Sequence, residues 1–178
     1  PKPLKIEKQS PRGKLDWNKY KQNINHFTIH KKIADKENDI YCYIELCELE
    51  GIDDNKRCEI ASRFNNSFQP ELAIKWLNEI PDTAKVAQKK YNILQESYHL
   101  EGDIEKEKMV IWTRLKQYMQ ANDYLAYLKL TPNEDADKVK KNVYNLAVSL
   151  ESVEDGLMFF KEVGDIDWIV KLFLSRFS

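Results

Sequence analysis

The chain has 178 residues and a formal net charge of −1, and charged residues make up 32% of it. Six prolines and five glycines are few for such a length, and Lys, Glu, Leu and Ile dominate, which favours helices over strands or disorder. No apolar run approaches the roughly 18 residues that a membrane span needs, and no charged-then-apolar leader opens the chain. We therefore expect a cytoplasmic protein without membrane contact.

The charges are distributed unevenly along the chain. The segment from Pro1 to Lys32 has nine Lys and Arg against two acidic residues, a net of +7, whereas the remainder has 19 basic and 27 acidic residues, a net of −8. Such a basic segment can bind nucleic acid through phosphate contacts, or it can fold back onto the acidic body. Pro1–Gly13 has little apolar periodicity, and its composition predicts an extended basic arm.

Helical signals begin after this arm. Leu15–Ile33 has a fair helical spacing of apolar residues, although two asparagines weaken it. Asp39 can cap a helix over Ile40–Leu49 that Gly51 ends, and apolar residues nearly encircle that helix. This distribution predicts a helix that is buried on more than one side.

Two consecutive segments further along resemble each other at an offset of 34 residues. Phe64 to Leu77 aligns with Tyr98 to Ile111, and the flanking Ile60 aligns with Leu94. A period of this size is typical of helix-turn-helix repeats, in which each unit buries its apolar face only by stacking on its neighbours. The pattern predicts four helices in two stacked pairs, within one helical-repeat domain that covers residues 14–178.

The last third of the chain continues with shorter helices. A short helix ends at Thr131-Pro132, and a further amphipathic helix follows an acidic patch. Gly164 then separates Val153–Val163 from Ile166–Phe177. This final helix is apolar on most sides, so it is either sandwiched inside the fold or presents a sticky face through which the chain could form an oligomer. In all, we expect about eight or nine helices and no strands.

The two copies resemble the tetratricopeptide repeat (TPR) family. In the second copy, the aromatic–leucine–aromatic spacing and the turn glycine of that family are matched by Tyr91, Leu94, Tyr98 and Gly102. In the first copy, the matching residues are Ile60, Ala61, Phe64, Ala73, Leu77 and Ile80. Arg57 and Phe68 depart from the family's aromatic and glycine, and in the later copy Glu107 replaces its small residue. The resemblance implies an all-α, TPR-like α-α superhelix of stacked antiparallel helix pairs.

A concave surface would follow from this repeat register, with the first helix of each pair lining it. The residues that the packing stripe leaves over are Ser62, Asn65 and Asn66 in the first copy, and Asn92, Glu96 and His99 in the second. Side-chain amides on such a surface can hold the backbone of an extended peptide, as they do in the family that these copies resemble. The alternative is that these six residues are merely solvated.

The span from Ala73 to Leu150 also resembles a bacterial family of uncharacterised proteins, a domain of unknown function with a helical carboxyl-terminal region. The resemblance lies in Trp112-Thr-Arg-Leu115, in the segment from Asp123-Tyr-Leu-Ala to Pro132, and in the acidic patch and amphipathic helix that follow. It implies a helical fold and no particular activity.

The sequence contains none of the common nucleotide-binding or hydrolase motifs, such as GxGxxG, GxxxxGK[ST], HExxH or GxSxG. Cys42, Cys47 and Cys58 are odd in number and too widely spaced for a usual zinc site. We therefore expect no catalytic residues, no metal and no cofactor. The leading hypothesis is a non-enzymatic protein or peptide interaction module of helical-repeat type. The alternatives are nucleic-acid binding through Lys2–Lys32 and a helical scaffold domain of a larger enzyme.

Overall fold

The computed structural model of the chain describes residues 24–37 and 39–177. Over these residues the chain forms ten α-helices and one short 3-10 turn, without a strand. The helices are α1 (Ile24–Glu37), α2 (Ile40–Glu50), α3 (Asp54–Asn66), α4 (Pro70–Asn78), α5 (Ala87–Glu101), α6 (Ile104–Tyr118), α7 (Ala121–Lys129), α8 (Ala136–Ser149), α9 (Val153–Val163) and α10 (Ile166–Phe177). The expected all-α class is confirmed, with slightly more helices than predicted.

The expected basic arm, Pro1–Gly13, and the beginning of the helix predicted from Leu15 lie outside the described residues. The helices form two compact units, and the boundary between them lies between Ala84 and Lys85. The first unit contains α1 to α4, and the second contains α5 to α10. The two copies of the 34-residue pattern therefore belong to different units. No helix within the described ranges combines the length and the apolar character that crossing a membrane requires.

Helix α2 packs against both α1 and α3 in the first unit. Tyr43 and Leu46 are fully buried, as expected for a helix with apolar residues all round. The guanidinium carbon of Arg63 lies 3.8 Å from the centroid of the Tyr43 ring, and the Tyr43 hydroxyl donates to the Glu59 carboxylate. Burial, and then this hydrogen bond, raise the pKa of Tyr43. α3 packs closely on α4, and Phe64 is fully buried there.

The second unit begins with the closely packed pair α5 and α6, followed by α7 against α6. Its core is an aromatic and aliphatic cluster contributed by α6 to α10. The rings of Tyr144 and Phe160 are 5.0 Å apart between their centroids, and those of Tyr144 and Trp168 are 5.1 Å apart. Edge-to-face pairs of this kind stabilise a core beyond the burial of their area. Tyr98, which pairs with Phe64 in the repeat alignment, is half-buried.

The same helix-ending turn occurs at equivalent positions of the two copies. After α5, the N–H groups of Gly102 and Asp103 donate to carbonyls three and five residues back, at 3.1 and 3.0 Å. After α3, Phe68 and Gln69 make the same two bonds, both at 2.9 Å. Phe68 and Gly102 both have left-handed backbones, with φ of 55° and 72°. This is the Schellman ending of a helix, which favours glycine. Phe68 therefore adopts, at a steric cost, the conformation that glycine adopts in the second copy.

Candidate functional site

The predicted binding residues of the first copy lie on α3. Ser62 is half-buried, Asn65 is only 2% exposed and Asn66 is exposed. Of these three, Asn66 is the one whose side chain solvent reaches freely. Phe68 follows it in the turn with 81% of its surface exposed. The first copy therefore presents Asn66 and Phe68 outward and keeps Asn65 within the unit.

The predicted binding residues of the second copy lie on α5, and all three are exposed. Asn92 accepts a hydrogen bond from Arg114 of α6, and His99 Nδ1 lies 3.1 Å from an oxygen of Glu107. Glu96 lies one helical turn from each of them. Two of the three residues therefore join α5 to α6 within the unit, which gives them a structural role whether or not a peptide binds there. The predicted groove function of all six residues stays a prediction.

Arg114 is the centre of a buried polar network that the sequence reasoning did not find. Its guanidinium donates to Asn92 at 2.5 Å and to Gln95 at 2.8 Å on α5, and it pairs with the carboxylate of Asp123 on α7. The side chains of Arg114 and Asp123 are 9% and 6% exposed. Among the described residues, Arg114 Nε and Asp123 Oδ2 are buried without a hydrogen-bond partner. The network ties three helices together but leaves two polar atoms unsatisfied.

An open cleft of about 490 Å³ lies elsewhere in the second unit, where α7 and α8 meet the turn between α9 and α10. Its apolar lining comes from Leu125, Leu128, Val163 and Ile166, and its aromatic and polar lining comes from Tyr124, Lys140, Tyr144, Gly164, Asp165 and Asp167. Gly164 has a left-handed backbone with φ of 81° and ends α9 with the same hydrogen-bonded turn that follows α5. This turn brings the two carboxylates and Ile166 to the edge of the cleft.

Asp165 bonds to three groups around the cleft. Its Oδ2 accepts from the Tyr144 hydroxyl at 2.9 Å and from Lys140 Nζ at 3.2 Å, while its Oδ1 caps α10 through the backbone N–H of Trp168 at 3.4 Å. Burial alone would raise the pKa of Asp165, but these bonds hold it below its ordinary value. Burial, and then the bond to Asp165, raise the pKa of Tyr144. These bonds of the carboxylate therefore orient the α9–α10 turn.

The outer face of α10 carries a row of exposed apolar side chains that begins at the cleft. Their exposed fractions are 71% for Ile166, 52% for Val170, 54% for Phe173 and 57% for Leu174. The opposite face buries Leu172, with Trp168 and Ile169 half-buried against the same core. We name the four exposed residues the α10 strip. The sequence left open whether α10 is sandwiched inside the fold or has an exposed apolar face. In the structure it has an exposed apolar face.

The cleft and the α10 strip combine apolar contact area with a few fixed charges. Leu125, at the cleft, is 45% exposed and extends the apolar surface beyond Ile166. Lys140 offers an ammonium group whose side chain is 47% exposed, and Asp167 is exposed at the start of α10. Apolar walls with a small number of placed polar groups are typical of surfaces that bind peptides or proteins.

Sequence reasoning missed this cleft because its walls come from helices far apart in the chain. Tyr144 and Asp165 are 21 positions apart, and Tyr124 lies on another helix again. The one available signal was Gly164-Asp165, which marks a turn with an acidic cap in front of an apolar helix. It indicated the boundary of α10 but not what the turn would face.

The basic region of the alternative hypothesis, Lys2–Lys32, lies mostly outside the described residues. Of its lysines, Lys31 and Lys32 are described, and the ammonium of Lys31 lies 5.3 Å from the centroid of the Tyr43 ring. Across residues 24–37 and 39–177, no three His, Cys, Asp or Glu side chains are grouped so that they could hold a metal ion.

Comparison with family models matches residues 2–178 to a family described as a family of unknown function (DUF6880). The match confirms the resemblance to a domain of unknown function, and it extends well beyond the span from Ala73 to Leu150 in which the sequence suggested it. Neither the curated proteins nor the solved structures gave a match.

Proposed function

Because the chain belongs to the family of unknown function DUF6880, its role has to be inferred from its own surface, and we propose that it is a non-enzymatic module that binds a protein partner. The α10 strip and the adjoining cleft form the binding surface. The observation that carries this proposal is the row of four large apolar side chains on α10, each more than half exposed. Contiguous exposed apolar surface of this kind marks interaction sites in soluble proteins.

The α10 strip is large enough to matter energetically. Fully burying one Val, Leu, Ile or Phe side chain stabilises by ~1.5–3 kcal/mol. Since the four residues are 52% to 71% exposed, covering what remains would contribute on the order of 3–7 kcal/mol. Association costs several kcal/mol in lost freedom, so the α10 strip alone supports only weak binding. A partner that binds tightly must therefore also use the cleft.

The cleft supplies the polar part of such a surface. Lys140 and Asp167 can pair with charges of the partner, while Leu125 and Ile166 contribute apolar walls. Asp165 accepts hydrogen bonds from its own unit and holds the edge of the cleft in place. A preformed edge reduces the ordering cost of binding. The predicted α3 and α5 residues, Asn66 in particular, stay candidates for a second contact surface.

Affinity capture from a native lysate, followed by mass spectrometry, tests the proposal. Val170→Asp puts a carboxylate in the middle of the α10 strip, and Asn142→Asp puts one at an exposed position on α8 as a matched control. We expect Val170→Asp to lose a partner that the wild type and Asn142→Asp both retain. All three proteins should melt at similar temperatures, because both positions are exposed. Identical capture by the three proteins would reject the α10 surface.

A further inference from the structure

The α10 strip has a pattern that is complementary to itself. At 100° per residue, Ile166, Val170, Phe173 and Leu174 fall within about 100° of arc on α10. Asp167 and Lys171, four positions apart, border the same side of this arc. The N-terminal half of α10 is thus acidic at its border, and its C-terminal half is basic.

We infer that the partner of the α10 strip is a second copy of this chain, bound antiparallel across a two-fold axis at Val170; this deepens the proposed function and rests on it. In that arrangement Ile166 lies opposite Leu174 of the second copy, and Val170 lies opposite its own equivalent. Two-fold contacts use the same patch on both subunits, so a patch must complement itself to form one.

The charges favour this antiparallel orientation. With the axis at Val170, Asp167 of one copy and Lys171 of the other are offset by two residues, or about 3 Å along the helix. A lysine side chain covers that distance easily. A parallel two-fold would instead place the charged borders of the two copies on opposite sides of the interface, so Asp167 and Lys171 could not pair across it. In antiparallel packing, the two helix dipoles also point in opposite directions, which is favourable.

The cleft gives the second copy further surface to contact. Ile166 and Asp167 belong both to the cleft edge and to the first turn of α10. An antiparallel helix therefore directs its own C-terminal half, which carries Lys171, toward the carboxylates of the cleft. Leu125 extends the apolar surface on that side.

The area available predicts a weak dimer. Twelve residues of α10 span about 18 Å, and one helix face of that length buries less than the ~800 Å² per partner of a standard interface. We therefore expect dissociation constants on the order of 10–100 μM.

Sedimentation velocity of the full chain, from about 2 to 500 μM, tests the inference by bracketing that range. The wild type and Asn142→Asp should shift from the 21.1 kDa monomer toward twice that mass as concentration rises. Val170→Asp should stay monomeric, because it places two carboxylates at the axis. Wild-type protein that is monomeric at every concentration, or a dimer that Val170→Asp leaves intact, overturns the inference.

A charge exchange tests the orientation. Asp167→Lys and Lys171→Asp should each weaken the dimer several-fold, and the double variant should regain most of the loss, because each new charge again faces its opposite. A dimer with no recovery in the double variant overturns the antiparallel register. If the wild type is monomeric and Val170→Asp still loses a captured protein, the dimer is rejected and the proposed function holds. If Val170→Asp also leaves capture unchanged, the dimer and the proposed function are both rejected.

Discussion

The buried pair of Arg114 and Asp123 gives the sharpest test of how the second unit is held together. Both side chains are more than nine-tenths buried, and each has one polar atom that finds no partner among the described residues. We consider the single variants Arg114→Met and Asp123→Leu and the double variant that combines them. Each replaces a charged side chain with an apolar one of comparable volume.

Each single variant should be strongly destabilised. Removing one member of a buried ion pair leaves the other charge buried and uncompensated, which typically costs about 3–5 kcal/mol. In Asp123→Leu, Arg114 keeps its amide acceptors, Asn92 and Gln95, but has no anion. In Arg114→Met, Asp123 loses the guanidinium and already has an unsatisfied oxygen. We expect a loss of about 3–5 kcal/mol in either case.

The double variant should be close to the wild type or more stable. It removes both charges together with the two unsatisfied atoms, whose desolvation costs about 1–3 kcal/mol each. Replacing whole buried pairs by apolar residues is often neutral or stabilising by about 1–4 kcal/mol. Asn92 is exposed and Gln95 is half-buried, so water can satisfy the amides that Arg114 leaves.

Urea denaturation followed by circular dichroism measures the three variants in one double-mutant cycle. Lys106→Met is a matched control, because it breaks an ion pair with Asp103 whose side chains are 53% and 31% exposed. That control should lower the stability far less than either single variant, because solvent screens an exposed ion pair. If the double variant is destabilised by the sum of the two single effects, the pair is not coupled and the reasoning is refuted.

Three further predictions concern single positions. Phe68→Gly should raise the free energy of unfolding by about 0.5–1 kcal/mol in urea titrations, because relief of the left-handed backbone outweighs the extra chain entropy of glycine. Unchanged or lower stability would contradict this. Gly156→Ala should lower stability by about 1–3 kcal/mol despite the better helix propensity of alanine, since the new Cβ would lie 2.9 Å from the Ala147 carbonyl oxygen. A stabilised variant would show that α8 and α9 separate easily. Asp165→Asn should destabilise most near neutral pH. Folding lowers the pKa of Asp165 from 3.8, because the bonds that it accepts, the one from Tyr144 first, outweigh the opposing effect of burial. The ionised carboxylate therefore contributes fully to stability above pH 3.8, and this contribution disappears as the pH falls through the lowered pKa. If the difference in the free energy of unfolding between the wild type and Asp165→Asn does not narrow as the pH falls, this role of the Asp165 carboxylate is refuted.

Helix boundaries were the most predictable part of the fold, because capping is local. Asp39 accepts a backbone N–H group at the start of α2, as its position in the sequence predicted, and Asp53 and Asp103 do the same at the starts of α3 and α6. The repeat alignment also identified a real local likeness, since Phe68 and Gly102 share one turn geometry. Each of these features depends on a few consecutive residues, so a single sequence contains the necessary information.

The candidate site could not be predicted in the same way. Apolar periodicity tells which side of a helix faces inward, but not which helices meet. Arg114 would be assigned to a solvated face by its charge, yet α5 and α7 enclose it. Asn92, which the sequence suggested for a concave surface, also accepts a hydrogen bond from that arginine, a contact that the sequence did not predict. Such contacts depend on tertiary packing, which overrides the preference of a single residue.

The exposure of the α10 strip follows from close packing on the other side of the helix. Leu172 is 1% exposed, and its Cδ2 occupies the place next to Gly156 where a Cβ would lie, at 2.9 Å. Rotating α10 by one residue, about 100°, would remove Leu172 from this place and bring Phe173 toward it. The missing side chain at Gly156 therefore fixes which residues of α10 face outward. It follows that Gly156→Ala should disturb association through α10 as well as stability, whereas Phe68→Gly, in the other unit, should change stability alone.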